Sequence, residues 1–168
     1  MKTWWNKIQR KQALLRQAAD AGQGWLFFRA CLFAAVAPPL FRLNLSGLGR
    51  WLKNRAAPGS GIVPPEQIDA IVECVDAALA FGSPLLRSSC LTRGLTLYYF
   101  LRKAGVDVDL CFGAASRQGE LIPHPGHCWL LREGEAFLEQ SDPSLAFVPI
   151  YTLSGPLPGK KAAAREVA

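Results

Sequence analysis

Apolar residues recur along this chain with two different periods. Ile68, Ile71, Val72, Val75 and Leu79 fall at helical spacing behind the proline-led start Pro64-Pro65-Glu66, and Gly82-Ser83-Pro84 ends that segment after Phe81. Leu91, Leu95, Leu97, Tyr98, Tyr99, Phe100 and Leu101 place apolar groups nearly all round a second helix, which predicts a central, buried element over residues 90–104. Ser88 or Ser89 can cap its start, and Lys103-Ala104-Gly105 supplies a cation and a glycine at its end. From Val106 the period shortens to two, with Val106, Val108, Leu110 and Phe112 on one face of a strand over residues 106–114. Residues 127–131 read as a second strand, 136–139 as its return and 147–153 as one more. The strands thus follow the helices along the chain, and the helix over residues 90–104 is the central one.

The front of the chain reads differently. Residues 1–20 form a polar, basic helix ending near Gly22, residues 25–37 an apolar helix stopped by Pro38, and residues 41–55 a basic amphipathic stretch with Leu43, Leu45, Leu48, Trp51 and Leu52. Ala57-Pro58-Gly59-Ser60-Gly61 is the clearest linker. The expected organisation is a basic, apolar helical region over 1–57, a second domain over 62–155 and a flexible tail over 156–168.

Charge sharpens this division. The first 60 residues hold ten Lys/Arg against one acid, Asp20, while residues 61–168 hold nine against twelve. Half of all residues are hydrophobic, enough for a core and against global disorder. The apolar run over 25–41 contains Arg29 and Pro38-Pro39, and it falls short of the roughly 20 residues a spanning helix needs. A signal peptide would require an unusually long charged front over residues 1–24, although Ala34-Ala35-Val36-Ala37 has the small residues of a cleavage region. A buried helix in a helical subdomain is the preferred reading, and contact of residues 25–55 with a membrane surface is the alternative. The basic residues do not interleave with aromatics as a nucleic-acid platform requires.

Five cysteines at wide spacings, an odd number without a CxxC, exclude a disulfide framework and a zinc finger, and point to a reducing cytoplasm, with membrane association following only from the alternative reading. Pro125-Gly126 separates His124 from His127, so the two do not share a helix face, and no further ligand pair accompanies them. Neither a metal nor a cofactor is expected. Cys31, Cys74 and Cys111 sit within apolar patterns and read as core. Cys90 differs: it opens a capped helix, where unpaired N–H groups and the positive dipole end favour the nucleophilic thiolate. A thiolate enzyme needs a base, and His127, at the start of a strand behind a flexible Pro-Gly, is the best candidate. Trp129, two residues on, shares its face and can shield the ring.

Hairpin geometry nominates the group that orients the imidazole. A three-residue loop, Arg132-Glu133-Gly134, sets Leu131 opposite Glu135, Trp129 opposite Phe137 and His127 opposite Glu139. A two-residue loop, Glu133-Gly134, sets Gln140 opposite His127 instead, and Asp142 on the following turn is a third candidate. Gly134 fits the left-handed position of the three-residue loop, which favours Glu139.

At these residues the chain resembles a known family. Ser88-Ser89-Cys90-Leu91-Thr92-Arg93-Gly94-Leu95, then Leu101-Arg102-Lys103-Ala104-Gly105-Val106, then Cys111-Phe112-Gly113, then Gly126-His127-Cys128-Trp129-Leu130 is similar to the transglutaminase-like proteases of lasso-peptide biosynthesis, over about residues 60–145. The resemblance implies an α+β fold, a papain/transglutaminase-like core over 62–155 with a central helix packed on a small antiparallel sheet and a Cys-His-acid triad falling on Cys90, His127 and Glu139. Glu139 stands where the family has Asp, and Cys128 where it has Ala. The implied activity is leader removal from a ribosomally made precursor peptide by a stand-alone cysteine protease. A small leader-recognition protein and a lasso cyclase are the implied partners. Related systems process their peptides with ATP, yet no phosphate-binding glycine loop is present here.

Overall fold

The computed structural model describes residues 21–43, 47, 63–82, 89–115 and 126–154. The expectations for residues 1–20, 44–46, 48–61 and 156–168, and for His124, lie outside them. Three helices precede a four-stranded sheet. Helix α1 spans Ala21–Leu43, α2 Pro65–Gly82 and α3 Cys90–Ala104; the strands are β1 Asp109–Ala115, β2 Gly126–Arg132, β3 Glu135–Phe137 and β4 Phe147–Leu153, with a 3-10 turn at Pro143–Leu145 before the last. The sheet runs β3-β2-β1-β4 and every pairing is antiparallel. This is the expected α+β arrangement.

Helix α3 is the organising element. Ser89 is its cap, accepting from the Thr92 N–H at 3.2 Å, and Gly105 ends it in the left-handed region at φ 104°. The Val106 N–H then reaches back to the Leu101 carbonyl at 2.9 Å, so the last turn is closed by the backbone itself. Leu95, Leu97, Tyr98 and Leu101 are fully enclosed, and α3 lies between α1 and α2 on one side and β1 and β2 on the other. Even Arg102 is buried; its guanidinium donates to Asp107 and to the Val108 carbonyl, both at 3.2 Å, which offsets the cost of enclosing the charge. Leu110, Cys128, Leu130 and Leu153 carry the core from the helices onto the sheet.

Two expectations about the backbone are corrected. Helix α1 does not stop at Pro38 but continues to Leu43. Proline's fixed φ is helical, so Pro38 and Pro39 remove two donors, those that would reach the Ala34 and Ala35 carbonyls, without forcing an end. The strand expected from Val106 begins only at Asp109; Val106 and Val108 are buried all the same, in the approach to the sheet. The third correction, the register of the β2–β3 hairpin, shapes the site.

Candidate active site

One face of α3 and one end of β2 enclose a cleft of about 110 Å³. Cys90, Arg93, Gly94 and Leu97 line it from α3, at the i, i+3, i+4, i+7 spacing of a single helical face. His127, Cys128, Trp129 and Leu130 line it from β2, and Phe137 and Glu139 from the returning chain. Cys90 is exposed at the first helical position, while Cys111 and Cys128 are buried and Cys31 and Cys74 half-buried.

Gly94 sets how closely α3 approaches. A Cβ there would stand 2.9 Å from the Cys128 Sγ and 3.0 Å from the Leu110 Cδ1, so the glycine lets the helix seat this near the sheet without displacing those two side-chain tips. Cys128 therefore belongs to the helix–sheet contact. Burial pushes its thiol far above the ordinary cysteine range, and the neighbouring Cys90 adds to the shift.

On β2, alternation sends Cys128 and Leu130 into the core and leaves His127 and Trp129 on the other face. The imidazole stacks on the Trp129 indole, with centroids 5.8 Å apart and planes 16° apart, and meets Phe147 at 5.1 Å. These rings fix its orientation and cover much of it, leaving the side chain 26% exposed. Trp129 takes the shielding position expected of it.

The hairpin differs from the expected one. Arg132 pairs with Glu135, Leu131 with Ala136 and Leu130 with Phe137, so the loop has two residues, Glu133 and Gly134, both at positive φ (57° and 93°) as in a type I′ turn. In that register a regular strand would place Gln140 opposite His127. The strand does not stay regular: it ends at Phe137, and Leu138 turns into the left-handed region at φ 63°. The edge of β2 at residues 127–129 is left without a β3 partner, and the redirected chain brings Glu139 to it. The Glu139 carboxylate lies 3.6 Å from the His127 Nε2, an ion-pair distance longer than a hydrogen bond. Gln140 is exposed and does not line the cleft. Asp142 instead caps the 3-10 turn, accepting from the Ser144 N–H at 2.9 Å and its hydroxyl at 2.7 Å; these bonds lower its carboxyl below the usual range.

Two charged residues escaped the sequence reading. Arg93 lines the cleft one turn after Cys90, and α2 supplies its partner: the guanidinium donates twice to Asp76, at 2.8 and 3.1 Å. Those hydrogen bonds hold the Arg93 charge firmly against partial burial, and Asp76 and then Glu139 add electrostatic attraction. The i+3 spacing from Cys90 was the signal available for Arg93. Asp76 gave none, because its pairing crosses between two helices. Among the described residues no three His, Cys, Asp or Glu side chains gather as a metal site would need, and no helix is long and apolar enough to cross a membrane.

No curated protein and no solved structure matches the chain. A family model described as the transglutaminase-like superfamily matches residues 33–152, from the middle of α1 to the penultimate residue of β4. That span takes in the cleft and both elements that build it. The chain belongs to the transglutaminase-like superfamily.

Proposed function

We propose that this protein is a cysteine peptidase that removes the leader from a ribosomally made precursor peptide. The observation that carries the reading is the single cleft into which the exposed Cys90, the ring-held His127 and the carboxylate of Glu139 all open. Transglutaminase-like domains are commonly cysteine proteases or transferases, which agrees with these side chains. The motifs around Cys90 and His127, similar to those of lasso-peptide leader proteases, support the narrower substrate class.

Glu139 faces Nε2 of His127, which leaves Nδ1 for the thiol. In the first step the Cys90 proton passes to His127 while the sulfur bonds to the carbonyl carbon at the end of the leader. The Cys90 backbone N–H, which has no intrahelical carbonyl to pair with at the helix start, would donate to the developing oxyanion. Collapse breaks the C–N bond, and His127 returns the proton to the departing amine. Water, deprotonated by the same imidazole, then cleaves the thioester and restores the thiol. Glu139 orients the ring and balances its transient charge, and the Arg93 guanidinium, itself held by Asp76, attracts that carboxylate electrostatically. The partners belonging to this reading are a leader-recognition protein that presents the peptide and a cyclase that consumes the product.

The test is a purified reaction with a precursor peptide and its recognition protein. Hydrolysis yields two fragments whose masses sum to the peptide plus one water; acyl transfer from the same thioester would give an amine adduct. Glu139→Gln is expected to lower kcat by about 10²–10³-fold with KM little changed, because only the orientation of the base is lost. Glu139→Asp should retain most of the rate. A wild-type rate in Glu139→Gln would remove the carboxylate from the mechanism.

A further inference from the structure

Among the α1 residues whose side chains are described, 24–37, 39 and 40, the exposed positions are Trp25, Phe28, Leu32, Ala35, Val36, Pro39 and Leu40, and none of these is polar. Trp25, Phe28, Leu32, Val36 and Leu40 are between 46% and 62% exposed and follow one another every three or four residues, a stripe about 22 Å long at the helical rise. The Trp25 and Phe28 rings stack at 6.0 Å, and Phe81 at the end of α2, half-exposed and edge-on to Phe27, widens the patch there. The opposite face of α1, with Ala30, Ala34 and Ala37, is buried in the core side of the helix. Arg29, the one charged residue among residues 24–40, lies over the Phe100 ring at 5.8 Å.

We propose that this stripe docks on an anionic lipid surface, with α1 lying in the plane of the interface. Charge selects the occupant. The first 60 residues carry ten Lys/Arg against one acid, so the stripe is embedded in the most basic part of the chain. A second copy brought to the same face would bring two such basic stretches of chain together, whereas acidic headgroups suit both the apolar stripe and the cations that flank it in sequence. A helix that turns an apolar face outward can bury that face to the depth of the headgroups, and a tryptophan at one end suits that boundary. No described helix is long and apolar enough to cross the bilayer, so the contact is made along the surface. Helix α3 separates α1 from the sheet, and none of the stripe residues lines the cleft, so the surface and the site do not compete.

Full-length protein sedimented with vesicles decides the matter. Vesicles of phosphatidylcholine with one part in three phosphatidylglycerol should retain at least about tenfold more protein than pure phosphatidylcholine, and retention should fall severalfold as salt rises. Phe28→Glu with Leu32→Glu should stay in the supernatant while cleaving peptide at the wild-type rate, and Val36→Glu alone should show an intermediate loss with the fold retained. Wild-type protein that ignores anionic vesicles would overturn the proposal. So would a wild-type dimer that the double substitution dissolves, since a second copy would then own the face. Because the vesicle readout needs no catalysis, its failure is distinct from a failure of the peptidase reading.

Discussion

Cys90→Ala is expected to lower peptide cleavage by at least about 10⁴-fold while leaving the protein folded. The exposed thiol contributes little packing, and alanine is well tolerated at the first position of a helix that Ser89 continues to cap. The melting temperature should therefore stay within a few degrees of wild type, which separates loss of chemistry from loss of structure. Cleavage at an ordinary rate by this variant would mean that another group forms the covalent bond or that none does. The four remaining cysteines offer no ready substitute. Burial raises the thiols of Cys31 and Cys111, raises Cys128 further, and pushes Cys74 to about 11.

Gly113→Ala should damage stability and activity together, through the floor on which His127 rests. A Cβ at residue 113 would stand 2.7 and 2.8 Å from the indole of Trp129 and 3.0 Å from the Phe147 Cβ. Trp129 and Phe147 are the two rings against the imidazole, and Trp129 is buried, so the indole has little room to retreat. Overpacking of this kind costs about 1–3 kcal/mol, read as a lower urea midpoint. Because the displaced ring carries the base with it, kcat should fall by about tenfold or more at a temperature where the variant is still folded. Unchanged stability would show that the sheet absorbs the methyl group elsewhere.

What the sequence revealed and concealed divides along local and non-local lines. The limits of α3, its serine cap and its glycine stop are written in adjacent residues, and so is the pairing of an exposed cysteine with a helix start. Strand β4 was legible for the same reason. The hairpin register was not. Glu133-Gly134 satisfies a left-handed glycine in either loop length; what decides is that Glu133 also adopts positive φ, which a glutamate does not announce. Leu138 at φ 63° is less legible still, because a leucine there is strained by roughly 1–2 kcal/mol and only the finished structure holds it. The expected route to Glu139, a three-residue loop, is wrong, yet the carboxylate reaches His127 because the broken strand compensates for the shifted register. The passage of α1 through Pro38-Pro39 and the crossing of Asp76 to Arg93 likewise depend on packing between elements.

The central claim is that the sulfur of Cys90 and the imidazole of His127 act on each other. Iodoacetamide labelling near neutral pH, followed by peptide mass mapping over time, tests it most directly. Cys90 should be modified first, well ahead of the half-buried Cys31 and Cys74 and the buried Cys111 and Cys128, and His127→Ala should slow that one site by about tenfold or more while leaving the others unchanged. Labelling of Cys90 at the same rate with and without the imidazole would contradict the account.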